Sequence, residues 1–241
     1  MHHKYLIRDA GTPAAVVWTG SANFTDAAWT RQENNIVQVA STTLAGAYQT
    51  DFDQLWRTGQ IAGTGAGDTG STTLGAATAG WAFAPGGGPT IDAGLAGLIS
   101  TAHRRLAVAS MVLTSHTILG ALADALDRGT PLSGIYDAGQ MAPIVRQWRK
   151  TPTGKVTAAL FDRVAAHLAG KPSAPYTPDG VHDFMHHKVL VCDDTVATGS
   201  FNLSHNAAGN AENSLTLHSP TLARRYTTAI TALVHTYSTT P

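Results

Sequence analysis

Two short stretches of the chain carry the same polar residues at the same spacing: MHHKYLIRD at the start and MHHKVLVCD from Met185 to Asp193. Both read H-x-K-x-x-x-x-D, through His2, Lys4 and Asp9 in the first and His186, Lys188 and Asp193 in the second. Each is followed by G-S-x-N (Gly20, Ser21, Asn23; Gly199, Ser200, Asn202) and then by a Glu–Asn pair opening at Glu33 and Glu212. A fixed residue matches by chance about once in twenty, so this many matches in order mark a duplicated unit. An imidazole is a competent nucleophile near pH 7, and its protonated form is a competent acid there. Residues two apart on a strand share a face, which groups His2 with Lys4 and His186 with Lys188. The repeated types are those that cores avoid, which favours a shared site over a shared scaffold. Two such units facing each other would gather two histidines, two lysines and two asparagines in one cleft.

This constellation resembles the phospholipase D superfamily, whose mark is a pair of H-x-K-x-x-x-x-D motifs, each followed by G-S-x-N. GSANFT with QENN, and GSFNLS with NAENS, look most like the compact bacterial phosphodiesterases of that superfamily. The resemblance runs from Met1 to the last helix. It implies an α/β fold with a mixed sheet flanked by helices, built as duplicated halves of which the first is here incomplete. It implies no metal and no cofactor. The implied chemistry has two steps: one histidine forms a phosphohistidine, and the other protonates the leaving alcohol and then activates water. Carried over by position, His2 is the nucleophile and His186 the acid/base. Lys4, Lys188, Asn23 and Asn202 would stabilise phosphoryl oxygens. Glu33 and Glu212 would each orient a histidine through its second ring nitrogen. Asp9 and Asp193 fall on the opposite strand face and are read as structural, as are Gly20, Ser21, Gly199 and Ser200.

The elements that must position these residues follow from periodicity. Residues 1–58 read as strands YLIRD, AVVWTG and NIVQVAS with a closing helix TLAGAYQTDFDQLW; residues 59–80 read as a flexible Gly/Thr-rich linker. From 81 to 241 the second half alternates strands and helices. A helical stripe spans 91–102, and 106–113 is a buried strand. A helix capped by Ser115 and stopped by Gly129 comes next, then the strand PLSGIYD, then helix over 141–170 broken at TPTGK. Past the glutamates the copies still correspond, with Leu44, Tyr48 and Phe52 matching Leu222, Tyr226 and Ile230.

The second motif is preceded by about a hundred residues and the first by one, so the expectation is a family member lacking the front of its first half. The alternative is a natural short form whose missing strands come from another subunit. Either way, an exposed edge and apolar surface are expected beside residues 5–7 and 15–18, with self-association through them.

Composition narrows the partners. The chain of 241 residues is 43% hydrophobic and 13% charged, with 16 basic residues against 16 acidic, so it is globular and carries no overall basic excess. That favours a phospholipid or other phosphodiester substrate over nucleic acid, which stays the alternative partner. The single cysteine, Cys192, excludes an internal disulfide, and no apolar run reaches the ~20 residues needed to span a bilayer. Localisation is left open between secreted and cytoplasmic. GAGDTG at 65–70 lacks the strand and helix that a nucleotide fingerprint needs, RQWRK at 146–150 reads as a solvated helix end, and His182 with His186 and His187 is not a helical metal pair.

Overall fold

A computed structural model describes residues 1–238 of the chain. A three-stranded antiparallel meander comes first: β1 (Tyr5–Arg8), β2 (Val16–Gly20) and β3 (Ile36–Ala40), with the short helix α1 (Asp26–Thr30) between the last two. Helix α2 (Thr42–Thr58) closes it, started by the Ser41 hydroxyl accepting from the Leu44 N–H at 3.2 Å and ended by Gly59 in the left-handed region. An eight-stranded mixed sheet follows, in the order β4 (Gly70–Leu74), β5 (Ala77–Ala84), β11 (Glu212–His218), β10 (Thr195–Gly199), β9 (Lys188–Cys192), β6 (Leu106–Ser110), β7 (Leu132–Asp137) and β8 (Ala169–Lys171). Helices α3 (Gly88–Thr101), α4 (His116–Asp127), α5 (Ala138–Trp148), α6 (Pro152–Ala165) and α7 (Pro220–Ser238) complete it.

The second motif sits on β9–β10–β11, an antiparallel meander with the same chain direction and pairing as β1–β2–β3. In each, the motif glycine stands where two strands close in. A Cβ on Gly20 would lie 2.1 Å from the Asn35 carbonyl, and one on Gly199, at φ +125°, would lie 2.5 Å from that of Asn213. The glycines are therefore steric requirements of the strand approach.

Three apolar clusters hold the layers together. On one face of the large sheet, Leu106, Val108, Leu190 and Ala197 pack against Leu95 and Ile99 of α3 and Leu119 and Leu122 of α4. On the other, Val189, Val191 and Val196 meet Ala223 and Ile230 of α7. The third joins the two sheets: Leu44 and Tyr48 of α2 are fully buried against Val17, Val37 and Val39 and against Phe83, Leu215 and Leu217. Each such fully buried large side chain contributes roughly 1.5–3 kcal/mol over leaving it exposed.

Two expectations are corrected here. The 59–80 segment is not a linker throughout: Gly70–Leu74 and the start of β5 form an antiparallel hairpin on the edge of the large sheet. Thr-rich strands bury little and lack clear alternation, and pairing to β11 is what fixes them. Residues 169–171, read as helix, form β8 through parallel pairing with β7.

Candidate active site

Both motif histidines begin as continuations of the opposite sheet. The His2 N–H donates to the Ala211 carbonyl at 3.0 Å, just before β11, and the His186 N–H donates to the Glu33 carbonyl at 2.9 Å, just before β3. The threonine preceding each motif glycine ties the same seam. Thr198 Oγ1 donates to Asn35 Oδ1 at 2.7 Å, and Asn213 Nδ2 donates to Thr19 Oγ1 at 2.8 Å. Two segments distant in the chain are thus hydrogen-bonded together around one cleft.

Within the cleft each imidazole is held by a side chain from the other meander. Nδ1 of His2 lies 2.8 and 2.9 Å from the two carboxylate oxygens of the fully buried Glu212. Nδ1 of His186 lies 3.0 Å from Asn34 Oδ1. The amide is oriented by its nitrogen, which donates to the Ala28 carbonyl at 3.0 Å, and by the Ser21 hydroxyl, which donates to Oδ1 at 2.7 Å. With Nδ1 donating in both cases, both Nε2 atoms are left with a free lone pair.

Asn34 is the residue that sequence reasoning missed. The copies were aligned on their Glu–Asn pairs, which sets Glu33 opposite Glu212. The serines give a different register: Asn35 donates its N–H to Ser21 Oγ at 3.0 Å, as Asn213 does to Ser200 Oγ at 2.9 Å. Gly20 pairs with Ile36 and Gly199 with Ser214, so the first loop, containing α1, is one residue longer than the second, which contains a 3-10 turn. Asn34 therefore occupies the place of Glu212. The Glu33 carboxylate orients neither histidine; it accepts from Tyr237 Oη at 2.6 Å and pairs with Lys171 at 3.4 Å. Aligning on the serine-bound asparagines would have found this.

Lys4 and Lys188 each donate their ammonium to the carbonyl of the histidine two residues before, Lys188 at 2.7 Å. Burial pulls Lys4 down to about 8, with Glu212 opposing, and pulls Lys188 well below its usual value, helped by the charge of Lys4. Burial, then Lys188, Lys4 and His2, hold His186 well below 6.5, so it is neutral at pH 7. The cluster thus carries two buried ammonium groups and one carboxylate. An anion placed between them would restore both lysines to their charged forms. Asn202, whose Oδ1 is buried without a hydrogen-bond partner, and Asn23, half-buried, follow the motif serines at the ends of β10 and β2.

Of the remaining motif residues, Ser21 and Ser200 anchor the strand turns as just described. Asp9 and Asp193 both turn the chain at positive φ, 54° and 50°. Asp193 accepts from the N–H groups of His103, Arg104 and Arg105 at 2.8–3.1 Å, while Asp9 meets only its neighbour Arg8, at 3.1 Å. His3 and His187 are buried away from the cleft, His3 beside Asp51 and the ring of Tyr5, His187 accepting from Asn35 Nδ2 at 3.1 Å. Among the described residues no group of three or more His, Cys, Asp or Glu side chains is placed to hold a metal ion. No described helix is long and apolar enough to cross a membrane.

Comparison with known proteins gives concordant results. The family model described as "Cardiolipin synthase, PLD-like domain" matches residues 1–56 and 95–234. Mitochondrial cardiolipin hydrolase of Xenopus laevis is 43% identical over 56 residues, which is 23% of this chain and only a quarter (25%) of that protein's length. Among solved structures, the phosphatidylserine synthase of Haemophilus influenzae Rd KW20 aligns with a TM-score of 0.58 at 12% identity, over 94% of this chain and 60% of that one. NucT from Helicobacter pylori aligns with a TM-score of 0.50 at 19% identity, over 66% of this chain and 96% of that one. At these identities the two structures speak for the fold alone.

Proposed function

The chain belongs to the phospholipase D-like family, and from that premise we propose that it is a metal-independent phosphodiesterase acting through a phosphohistidine on His2, with a phospholipid headgroup ester as the favoured substrate. The observation that carries this reading is the pair of histidines, each tied at Nδ1 to the opposite meander, set among two buried lysines.

The difference between the two orienting groups assigns the roles. Attack of His2 Nε2 on phosphorus leaves a positive ring with a proton on Nδ1, and the Glu212 carboxylate stabilises that charge. The phosphorus–oxygen bond to the alcohol breaks as the new nitrogen–phosphorus bond forms. His186, held by a neutral amide, binds a proton weakly and releases it readily. Entry of the anionic substrate supplies the charge that lets His186 take up a proton, which it passes to the leaving oxygen. Once neutral again, it removes a proton from water, whose oxygen attacks phosphorus and frees His2. Lys4, Lys188, Asn23 and Asn202 donate to the non-bridging oxygens as negative charge shifts onto them. The balance of basic and acidic residues supports a lipid ester over a nucleic-acid backbone.

The test is incubation of the purified chain with phosphatidylcholine, cardiolipin and single-stranded DNA, each with EDTA present. Release of headgroup or phosphatidate with chelator is the expected result. Cleavage of DNA alone would assign a nuclease, and a phosphatidyl product formed with added alcohol would assign a transferase. Loss of all activity in EDTA with rescue by a divalent ion would overturn the mechanism.

A further inference from the structure

The largest groove in the described structure, about 1180 Å³, runs between the outer edge of β3 (residues 36–40) and α7, where Leu222, Tyr226, Ala229 and Leu233 line it. The matching place in the second meander is filled. There β5 lies on the outer edge of β11, antiparallel from Glu212–Ala84 to His218–Thr78. Its Ala79 and Phe83 turn inward against Leu44 and Tyr48 of α2, the Tyr48 and Phe83 rings meeting edge-on at 5.0 Å. Each meander is thus followed by a helix that faces the strand position beside the other. Leu222 and Tyr226 hold in α7 the places that Leu44 and Tyr48 hold in α2. With β5 in place, Leu44 and Tyr48 are wholly buried; with the groove open, Leu222 and Tyr226 are only partly covered.

We propose that this groove is a strand-docking site, taking an extended segment of a second polypeptide antiparallel to β3, with small and aromatic side chains alternating inward onto Leu222 and Tyr226. The free N–H and C=O groups of an edge strand supply the ladder and the helix face supplies the selection, which is how strand addition works elsewhere. A lipid tail or detergent would fill the volume but leave the edge unpaired. The groove also reaches the catalytic cleft. Tyr226 Oη donates to Asn35 Oδ1 at 3.0 Å, and β3 begins directly after Asn34 and Asn35. An added strand therefore steadies the segment that holds His186, and docking is expected to raise turnover as well.

The experiment uses the whole chain and a fluorescein-labelled peptide with the sequence of residues 77–84, ATAGWAFA, between terminal lysines for solubility. Anisotropy should rise and saturate, and hydrogen exchange of amides in 36–40 should slow at least tenfold on binding. Ala229 is exposed on α7, so Ala229→Arg should leave fold and basal turnover intact while weakening the peptide at least tenfold. A peptide with proline in place of its tryptophan should not bind. These readouts are independent of catalysis, so an inactive chain would leave them unaffected. The proposal is overturned if no saturable binding occurs, or if Ala229→Arg binds the peptide equally well. It is overturned too if amides 36–40 are already slow in the chain alone and sedimentation shows dimers that Ala229→Arg splits, which would make a second copy the occupant. Binding of phosphatidylcholine vesicles that Ala229→Arg abolishes, with no peptide binding, would make lipid the occupant.

Discussion

The two motif-bearing meanders share their strands, glycines, serines and lysines, and differ in what surrounds them. On β9 and β10, Leu190 and Ala197 are 1% and 4% exposed beneath α3 and α4; at the matching positions of β1 and β2, Leu6 and Trp18 are 54% and 43% exposed. The contrast extends past the strands, with Leu203 at 2% and its counterpart Phe24 at 61%. The same local pattern thus reads as a core in one place and as a surface in the other. Alternation decides which residues share a face, and the neighbouring elements decide whether that face is dry. The second contrast is chemical: a carboxylate holds His2 and an amide holds His186.

The sharpest way to break the chemical comparison is to remove each histidine. His2→Ala and His186→Ala should each lower turnover by about 10³-fold or more, since neither can do the other's task. With a leaving group that needs no acid, covalent phosphate should still form on His2 in the His186→Ala variant and never in His2→Ala. Phosphate trapped on His186 would reverse the roles.

Next come the two holding groups. Glu212→Gln should lower kcat by about 10²-fold or more by removing the charge that stabilises the phosphorylated ring, while Asn34→Ala should cost about tenfold through loosened orientation. Asn34→Asp places a carboxylate at both histidines. It should raise the pKa of His186, moving the acid limb of the kcat profile to higher pH. An unmoved limb would mean that His186 is not the group titrating there.

A smaller effect concerns Lys4. Its value near 8 means that the free chain loses this positive charge as pH rises past 8, so kcat/KM should fall above that point. The sign for stability is opposite. Between pH 8 and the usual lysine value of 10.5 the unfolded chain binds more protons at this position, so Lys4 makes folding more favourable as pH rises through that window. A Lys4→Met variant should lack that rise in thermal melts across the same range.

The smallest expected difference tests the surroundings. Asp193→Asn removes charged acceptors from three backbone N–H groups and should destabilise the chain by about 1–2 kcal/mol, whereas Asp9→Asn should stay within about 0.5 kcal/mol. Both substitutions tolerate the left-handed backbone, so the comparison isolates the contacts. Equal losses in denaturant titrations would mean that Asp9 has a partner in solution that fills the role of residues 103–105.

Much of the site was legible in the sequence because its types and spacings are local. His-x-Lys on a strand, the Thr-Gly-Ser turns, Ser115 as a cap and Gly129 as a stop all follow from period and backbone sterics. What the chain alone could not give was the pairing across the cleft. His2 and Glu212 lie 210 residues apart, and His186 and Asn34 lie 152 apart. Identity of letters favoured Glu33, but the loop with α1 is one residue longer, and a strand ladder counts positions from its hydrogen bonds. The hairpin of β4 and β5 was hidden for a related reason: its Gly/Thr-rich strands have little pattern of their own and are fixed by the edge of β11. Spacing along a strand determines which side chains travel together. Only the packing of one sheet against the other decides what they meet, because that contact depends on elements whose distance in sequence carries no periodic signal.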